Sequence, residues 1–229
     1  MEVLRVAIVD FGLGNLYSVQ RACVHAGLQA SITSDRREVS SAHAVLLPGV
    51  GAFGDAMSTL RRLDLVAPLR EAAARGTPML GICLGVQLLM SRSEEFGAHE
   101  GLDILKGTVQ RFNGPREGDR HLKVPQIGWN GIFRAPGASR SDPWQGTPLE
   151  GQAEGEPMYF VHSYCVKPDE SDVILSSTRY GQIEYCSGLR RGNLFAFQFH
   201  PERSGREGLK IYHAWARLVR SHSTGGAVS

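Results

Sequence analysis

Short apolar runs alternate with amphipathic stretches along the chain as far as Met90. Val6-Ala7-Ile8-Val9 places four apolar residues in a row, as a strand buried on both faces requires. The turn Asp10-Phe11-Gly12-Leu13-Gly14 follows, and apolar residues then recur at helical spacing from Asn15, a suitable N-cap, to His25. The same reading predicts strands over 28–33 and 44–47, the second halted by Pro48-Gly49-Val50-Gly51. It predicts helical segments up to Leu60 and over 65–74, then a strand over 78–82 and a helix over 84–90. Strands that alternate with helices imply parallel βαβ units. The fold class is therefore α/β, an open, mostly parallel sheet flanked by helices.

Beyond residue 105 the pattern changes to strands and loops. Strands are predicted over 159–166, 173–180, 183–189 and 194–199, with polar stretches at 114–120 and 135–156. A helix over 209–219 closes the pattern, and residues 221–229 read as a disordered tail. No repeat or long linker divides the chain, so 1–220 reads as a single domain with a β-rich second half.

Composition narrows the choice of chemistry. With 229 residues, 42% of them hydrophobic, the chain can bury one sizeable core. A net charge of +2, without a basic block, argues against nucleic acid as a partner. Met1-Glu2-Val3-Leu4-Arg5 precedes only a short apolar run, so neither a leader nor a membrane span is expected and the chain reads as cytoplasmic. Cys23, Cys83, Cys165 and Cys186 lack CxxC spacing and read as reduced thiols.

One of those thiols stands at a junction. In "GICLGVQLL" a strand ends at Ile82 and a helix begins after Cys83, which puts the sulfur at a helix N-terminus where free N–H groups favour a thiolate. Gly81 and Gly85 leave room for a sharp strand–turn–helix elbow. A buried core cysteine is the alternative reading. A second segment, "FAFQFHPE", ends a strand in His200-Pro201-Glu202. Proline biases His200 toward extended geometry, and residues i and i+2 then share a side, so Glu202 can orient the imidazole as a base. A surface histidine would look the same in isolation. Gly49-Val50-Gly51, at the carboxyl end of a strand, together with the N–H of Leu84, can supply oxyanion donors, or else form an ordinary turn.

Other motifs lead nowhere. Gly12-Leu13-Gly14 opens like a dinucleotide fingerprint, but the third glycine would fall at Tyr17, so NAD is not supported. Asp10-Phe11-Gly12 has no upstream nucleotide site, and His43, His99 and His121 lack metal spacing. Neither a cofactor nor a metal is expected.

The segments "LPGVGAF", "GICLGVQLL", "SEE", "GWN", "YFVHSY" and "QFHPERSG" occur in this order over nearly the whole chain. Together they resemble the class I, triad-type glutamine amidotransferases. "DFGLGNL", "GWN" and "VHSY" more narrowly resemble the glutaminase subunits of imidazole glycerol phosphate synthases, which serve histidine biosynthesis. The resemblance implies a Cys83–His200–Glu202 triad that releases ammonia from L-glutamine through a glutamyl thioester. It implies that Gln87, Glu95, Ser163 and Tyr164 hold the substrate's α-ammonium and α-carboxylate. It also implies a heterodimer with a (β/α)8 cyclase that consumes the ammonia to make imidazole glycerol phosphate and aminoimidazole carboxamide ribotide. Asn15, Gln126, Ile127, Trp129, Asn130 and Arg203, near the triad but outside its chemistry, are the expected contacts with that cyclase. Gln126 stands where many relatives carry histidine. A paralogue feeding a sugar-modifying amidotransferase, or a stand-alone cysteine hydrolase, would share the triad.

Overall fold

The computed structural model describes residues 4–135 and 142–224. Its parallel sheet grows directly from the apolar runs. Gln29–Thr33, Arg5–Val9, Ala44–Gly49 and Met79–Cys83 lie side by side in that order, and Leu194–Phe197, from the far end of the chain, joins them in parallel beside Met79–Cys83. Successive strand side chains point to opposite faces. Val6, Ile8, Leu46, Leu80 and Ile82 therefore pack on one side with Val19 and Ala22 of helix Leu16–His25 and Ile211, Tyr212 and Trp215 of helix Gly205–Ser223. Ala7, Val9, Val45, Leu47 and Met79 pack on the other with Phe53, Met57 and Leu60 of helix Phe53–Arg62 and Leu69 and Ala72 of helix Val66–Ala74. Burial on both faces is why these strands read as unbroken apolar runs.

Past Leu194–Phe197 the sheet turns mainly antiparallel. It continues through Ile183–Arg191, Tyr164–Pro168 and Gly107–Arg111, with Ile174–Tyr180, Gln126–Arg134 and Glu156–His162 on a branch. This is the expected β-rich second half.

Several boundaries differ from the sequence expectations. Pro48 and Gly49 do not halt their strand; they pair with Ile82 and Cys83 and carry it to the sheet edge. Arg36–Ser41 forms a six-residue helix, too short to show a periodicity and capped by Asp35, whose side chain accepts from the Arg37 N–H at 2.7 Å. The predicted strand over 159–166 is two strands separated at Ser163, because the chain changes partner there from Gln126–Arg134 to Gly107–Arg111. In the polar stretch at 114–120, Arg116–Glu117 pairs with Arg120–His121 in a small hairpin. The stretch at 135–156 contains Trp144 and Leu149, both fully buried, and the Trp144 indole N–H donates to the Leu175 carbonyl at 2.9 Å; residues 136–141 lie outside the described set. Helix Gly205–Ser223 reaches beyond its predicted end, so the first residues of the expected tail are helical. Residues 225–229 lie outside the described set. Among the described residues no helix is long and apolar enough to cross a membrane.

Candidate active site

Three adjacent parallel strands deliver the chemistry to one edge. Cys83 ends the strand Met79–Cys83, Gly49 is its cross-strand partner, and Phe197 pairs with Ile82, so the chain from Gln198 to His200 emerges beside the thiol. This is the carboxyl edge of the parallel sheet, where open α/β folds bind ligands.

Cys83 adopts φ 54° and ψ −108°. A non-glycine residue in this region costs about 1–3 kcal/mol, a strain characteristic of an elbow that holds a nucleophile out from the sheet. Gly85 makes the tight turn possible, since a Cβ there would lie 1.8 Å from the Leu47 carbonyl oxygen. The helix that follows, Leu84–Leu88, is only five residues long, shorter than the sequence suggested. The dipole of so short a helix is small. The free N–H groups of its first turn remain, because none has an intrahelical acceptor.

His200 and Glu202 meet as expected, but not along an extended run: His200 itself is extended (φ −104°, ψ 93°), and Pro201–Arg203 then forms a single 3-10 turn that brings Glu202 to the ring. Nδ1 of His200 lies 2.7 Å from Glu202 Oε1, and the two side chains are only 5% and 3% exposed. The other carboxylate oxygen is buried without a partner among the described residues, so the imidazole carries nearly the whole task of neutralising Glu202. His200 Nε2 makes no hydrogen bond of good geometry among those residues. Burial opposes charge on this ring, but the negative charge and hydrogen bonding of Cys83, followed by those of Glu202, outweigh it and raise the His200 pKa to about 10. The surroundings of the ring thus favour its protonated form.

The Cys83 sulfur opens into a cavity of about 390 Å³, lined by Val50, Gly51, Leu84, Gln87, Glu95, Pro125, Val161, His162, Ser163, Tyr164 and Arg203. All four residues expected to hold glutamine face this one space. Two of them carry structural work as well. Glu95 Oε2 accepts from the Phe53 backbone N–H at 2.6 Å, and so caps helix Phe53–Arg62, whose N-cap Ala52 has no side chain able to do so. Gln87 Nε2 donates to the Tyr164 carbonyl at 3.0 Å and to Gln198 Oε1 at 3.2 Å. His162 stands behind the same wall, with Nδ1 2.8 Å from the Tyr164 carbonyl. Burial drives its pKa down to about 4 against the pull of that carbonyl, with the charge on His200 adding to the depression, so the ring is neutral at neutral pH.

The turn at 49–51 is packed at one end and open at the other. Gly49 is pinned, since a Cβ would lie 2.7 Å from the Phe11 ring and 3.2 Å from Leu84 Cβ. Val50 is 41% exposed, and Gly51 takes φ +108°, which favours glycine.

Residues expected at a partner surface divide into two groups. Ile127 and Trp129 are 63% and 56% exposed on one side of strand Gln126–Arg134. Asn15 and Arg203 are exposed as well, with Asn15 also capping helix Leu16–His25 by accepting from the Ser18 N–H. Asn130 is half-buried and donates to the Arg179 carbonyl at 3.1 Å. Gln126 does not belong to the surface: it is fully buried on the inward side of the strand, where its Oε1 accepts from the Tyr185 hydroxyl at 3.0 Å. The exposed members join the active site through Tyr159. Its ring lies 6.0 Å from Trp129, 4.3 Å beneath the Arg203 guanidinium and 6.4 Å from the His200 ring.

Comparison with known proteins gives the family. Residues 7–215 match the model of the class-I glutamine amidotransferases. The chain belongs to that family. Among curated relatives of this amidotransferase, imidazole glycerol phosphate synthase subunit HisH of Moorella thermoacetica is 46% identical over 96% of this chain and 98% of its own. The protein of that name from Rhodopirellula baltica is 44% identical over 92% and 96%, and that from Aquifex aeolicus 41% identical over 96% and 100%. Among solved structures, PurLQS from Thermotoga maritima has a TM-score of 0.69 at 20% identity, covering 95% of this chain and 99% of its own, and shares the fold.

Proposed function

We propose that this amidotransferase is the glutaminase subunit of an imidazole glycerol phosphate synthase, a cytoplasmic partner of a cyclase, with Cys83, His200 and Glu202 as its triad. The observation that carries the chemistry is the convergence of a strained, cavity-facing thiol with a buried imidazole–carboxylate pair. The end-to-end similarity to subunits named HisH supports the pathway.

The reaction follows from the geometry. The Cys83 thiolate attacks the glutamine side-chain carboxamide, forming the S–C bond, while N–H groups of the 49–51 turn and Leu84 receive the oxyanion. The imidazolium of His200 gives its proton to the departing nitrogen as the C–N bond breaks, and ammonia leaves. Water then attacks the thioester with His200 as base, releasing glutamate and restoring the thiolate. Glu95, Ser163 and Tyr164 hold the amino-acid end of the substrate. The Gln87 amide nitrogen is already engaged, and this residue meets the α-ammonium with its carbonyl oxygen.

Two experiments test this reading. Introduced into a bacterium that lacks its own subunit of this type, the chain should restore growth without histidine at low ammonia. Growth that still requires added ammonia would reject the assignment. The second concerns Glu202. Glu202→Gln should reduce glutamine turnover less than His200→Ala does, because it weakens the imidazolium without removing the base. Steady-state kinetics on both variants decide the matter, and equal losses with intact folds would show that the roles are misassigned.

A further inference from the structure

Gln198 precedes His200 by two residues, in the bend that follows strand Leu194–Phe197 at the edge where Cys83 stands. It is fully buried, and its backbone N–H is anchored to the Ser187 carbonyl at 2.9 Å. Its side-chain nitrogen lies 3.8 Å from Cys83 Sγ, a long hydrogen bond of the kind sulfur accepts. Its side-chain oxygen accepts from Gln87 Nε2.

The direction of these bonds is set by chemistry. A backbone carbonyl can only accept, so the one at Tyr164 obliges Gln87 to present its NH2 group. The second hydrogen of that NH2 can be met only by the oxygen of Gln198. The Gln198 NH2 group is then turned to the sulfur. The Tyr164 carbonyl also contacts His162 Nδ1, so its two lone pairs anchor both neighbours.

Resting on the triad assignment above, we propose that Gln198 takes part in the reaction by donating its amide N–H to the Cys83 sulfur, favouring the thiolate, and that Gln87 and the Tyr164 carbonyl position it for that task. The donor acts before attack and again after deacylation, when sulfur carries the negative charge. While the thioester exists, that charge is gone and the bond weakens.

The test is the pH profile of Cys83 alkylation by iodoacetamide in the full-length protein, read by mass mapping of the labelled peptide. Gln198→Met removes the amide at similar length and should move the midpoint up by about 1 pH unit, the size of a hydrogen bond to a charged group. Glutamine turnover at neutral pH should fall about tenfold at unchanged KM. Gln87→Met removes the positioning contact together with the α-ammonium contact, but alkylation by iodoacetamide needs no glutamine, so the midpoint should shift in the same direction by less, and this variant provides the answer if Gln198→Met does not fold. His200, Glu202, Glu95, His162, Tyr164 and Arg203, the titratable groups around the thiol and its cavity, are the same in both variants. Profiles that coincide with the parent's overturn the role of Gln198. If the parent itself is not labelled at Cys83, or if Cys83→Ala still turns over glutamine, the triad assignment fails instead.

Discussion

Replacement of Cys83 by alanine should lower glutamine hydrolysis by a factor on the order of 10⁴ or more while the protein keeps its fold. Among the described residues of the cavity, Cys83 is the thiol, and it stands at the strand end beside the buried His200–Glu202 pair. The structural cost is small. The residue lines the cavity wall with a single sulfur atom, and alanine meets the φ of 54° on the same terms as cysteine. Circular dichroism and thermal melts should therefore resemble those of the parent. Labelling gives an independent reading, because a glutamine-like electrophile should modify Cys83 and spare the other three thiols. Burial pushes Cys23 and Cys186 up to about 12 and Cys165 up to about 11, which keeps them protonated and unreactive at neutral pH. Turnover within tenfold of the parent, or a label on another cysteine, would refute the nucleophile assignment.

What the sequence disclosed, and what it hid, follow from the range of each interaction. The elbow at Cys83 and the His200–Glu202 pair are local devices, set by a strand end, two glycines and a proline, so reading a few residues was enough. The parallel half of the sheet was legible because burial on both faces leaves an uninterrupted apolar signature. Gln198 is as close to His200 in sequence as Glu202 is, yet its role depends on Cys83, 115 positions away, and on Gln87. Between Phe197 and Phe199 in the sequence, it carries no local mark of that role. The cap made by Glu95 was hidden for a similar reason, since the helix start it serves lies 42 positions upstream. Gln126 shows the opposite difficulty. In its strand the polar Gln126 points inward and Ile127 and Trp129 point outward, an inversion of the usual pattern. Alternation alone gives the period and not the side, so Gln126 was placed on the surface when it lies in the core.

That inversion underlies the second large effect: the isolated chain should be a poor glutaminase, activated on the order of 10²–10³-fold when a (β/α)8 cyclase and the cyclase's own ligand are added together. Ammonia that escapes into water is protonated and lost, so a glutaminase that feeds a synthase gains from firing only when docked. Outward Ile127 and Trp129 offer apolar area, and the Trp129–Tyr159–Arg203 stack carries that surface to the His200 ring and the cavity mouth. On the proposed function the trigger is the 49–51 turn, as the source of oxyanion donors. Gly49 is clamped between Phe11 and Leu84, so a change of donor geometry must come from Val50 and Gly51, which lie exposed beside the thiol. Removal of one oxyanion donor costs about 10²–10³ in kcat, and this sets the expected scale of activation when the turn is brought into place. Trp129→Ala should weaken cyclase binding by about 30-fold, as loss of an anchor worth about 2 kcal/mol does, and Arg203→Glu should weaken activation through the same stack. A titration of glutaminase rate against cyclase, with and without its ligand, measures both quantities. If the chain alone turns over glutamine as fast as any mixture, or if Trp129→Ala docks and activates like the parent, the coupling does not run through this face, and the reading as a stand-alone hydrolase returns.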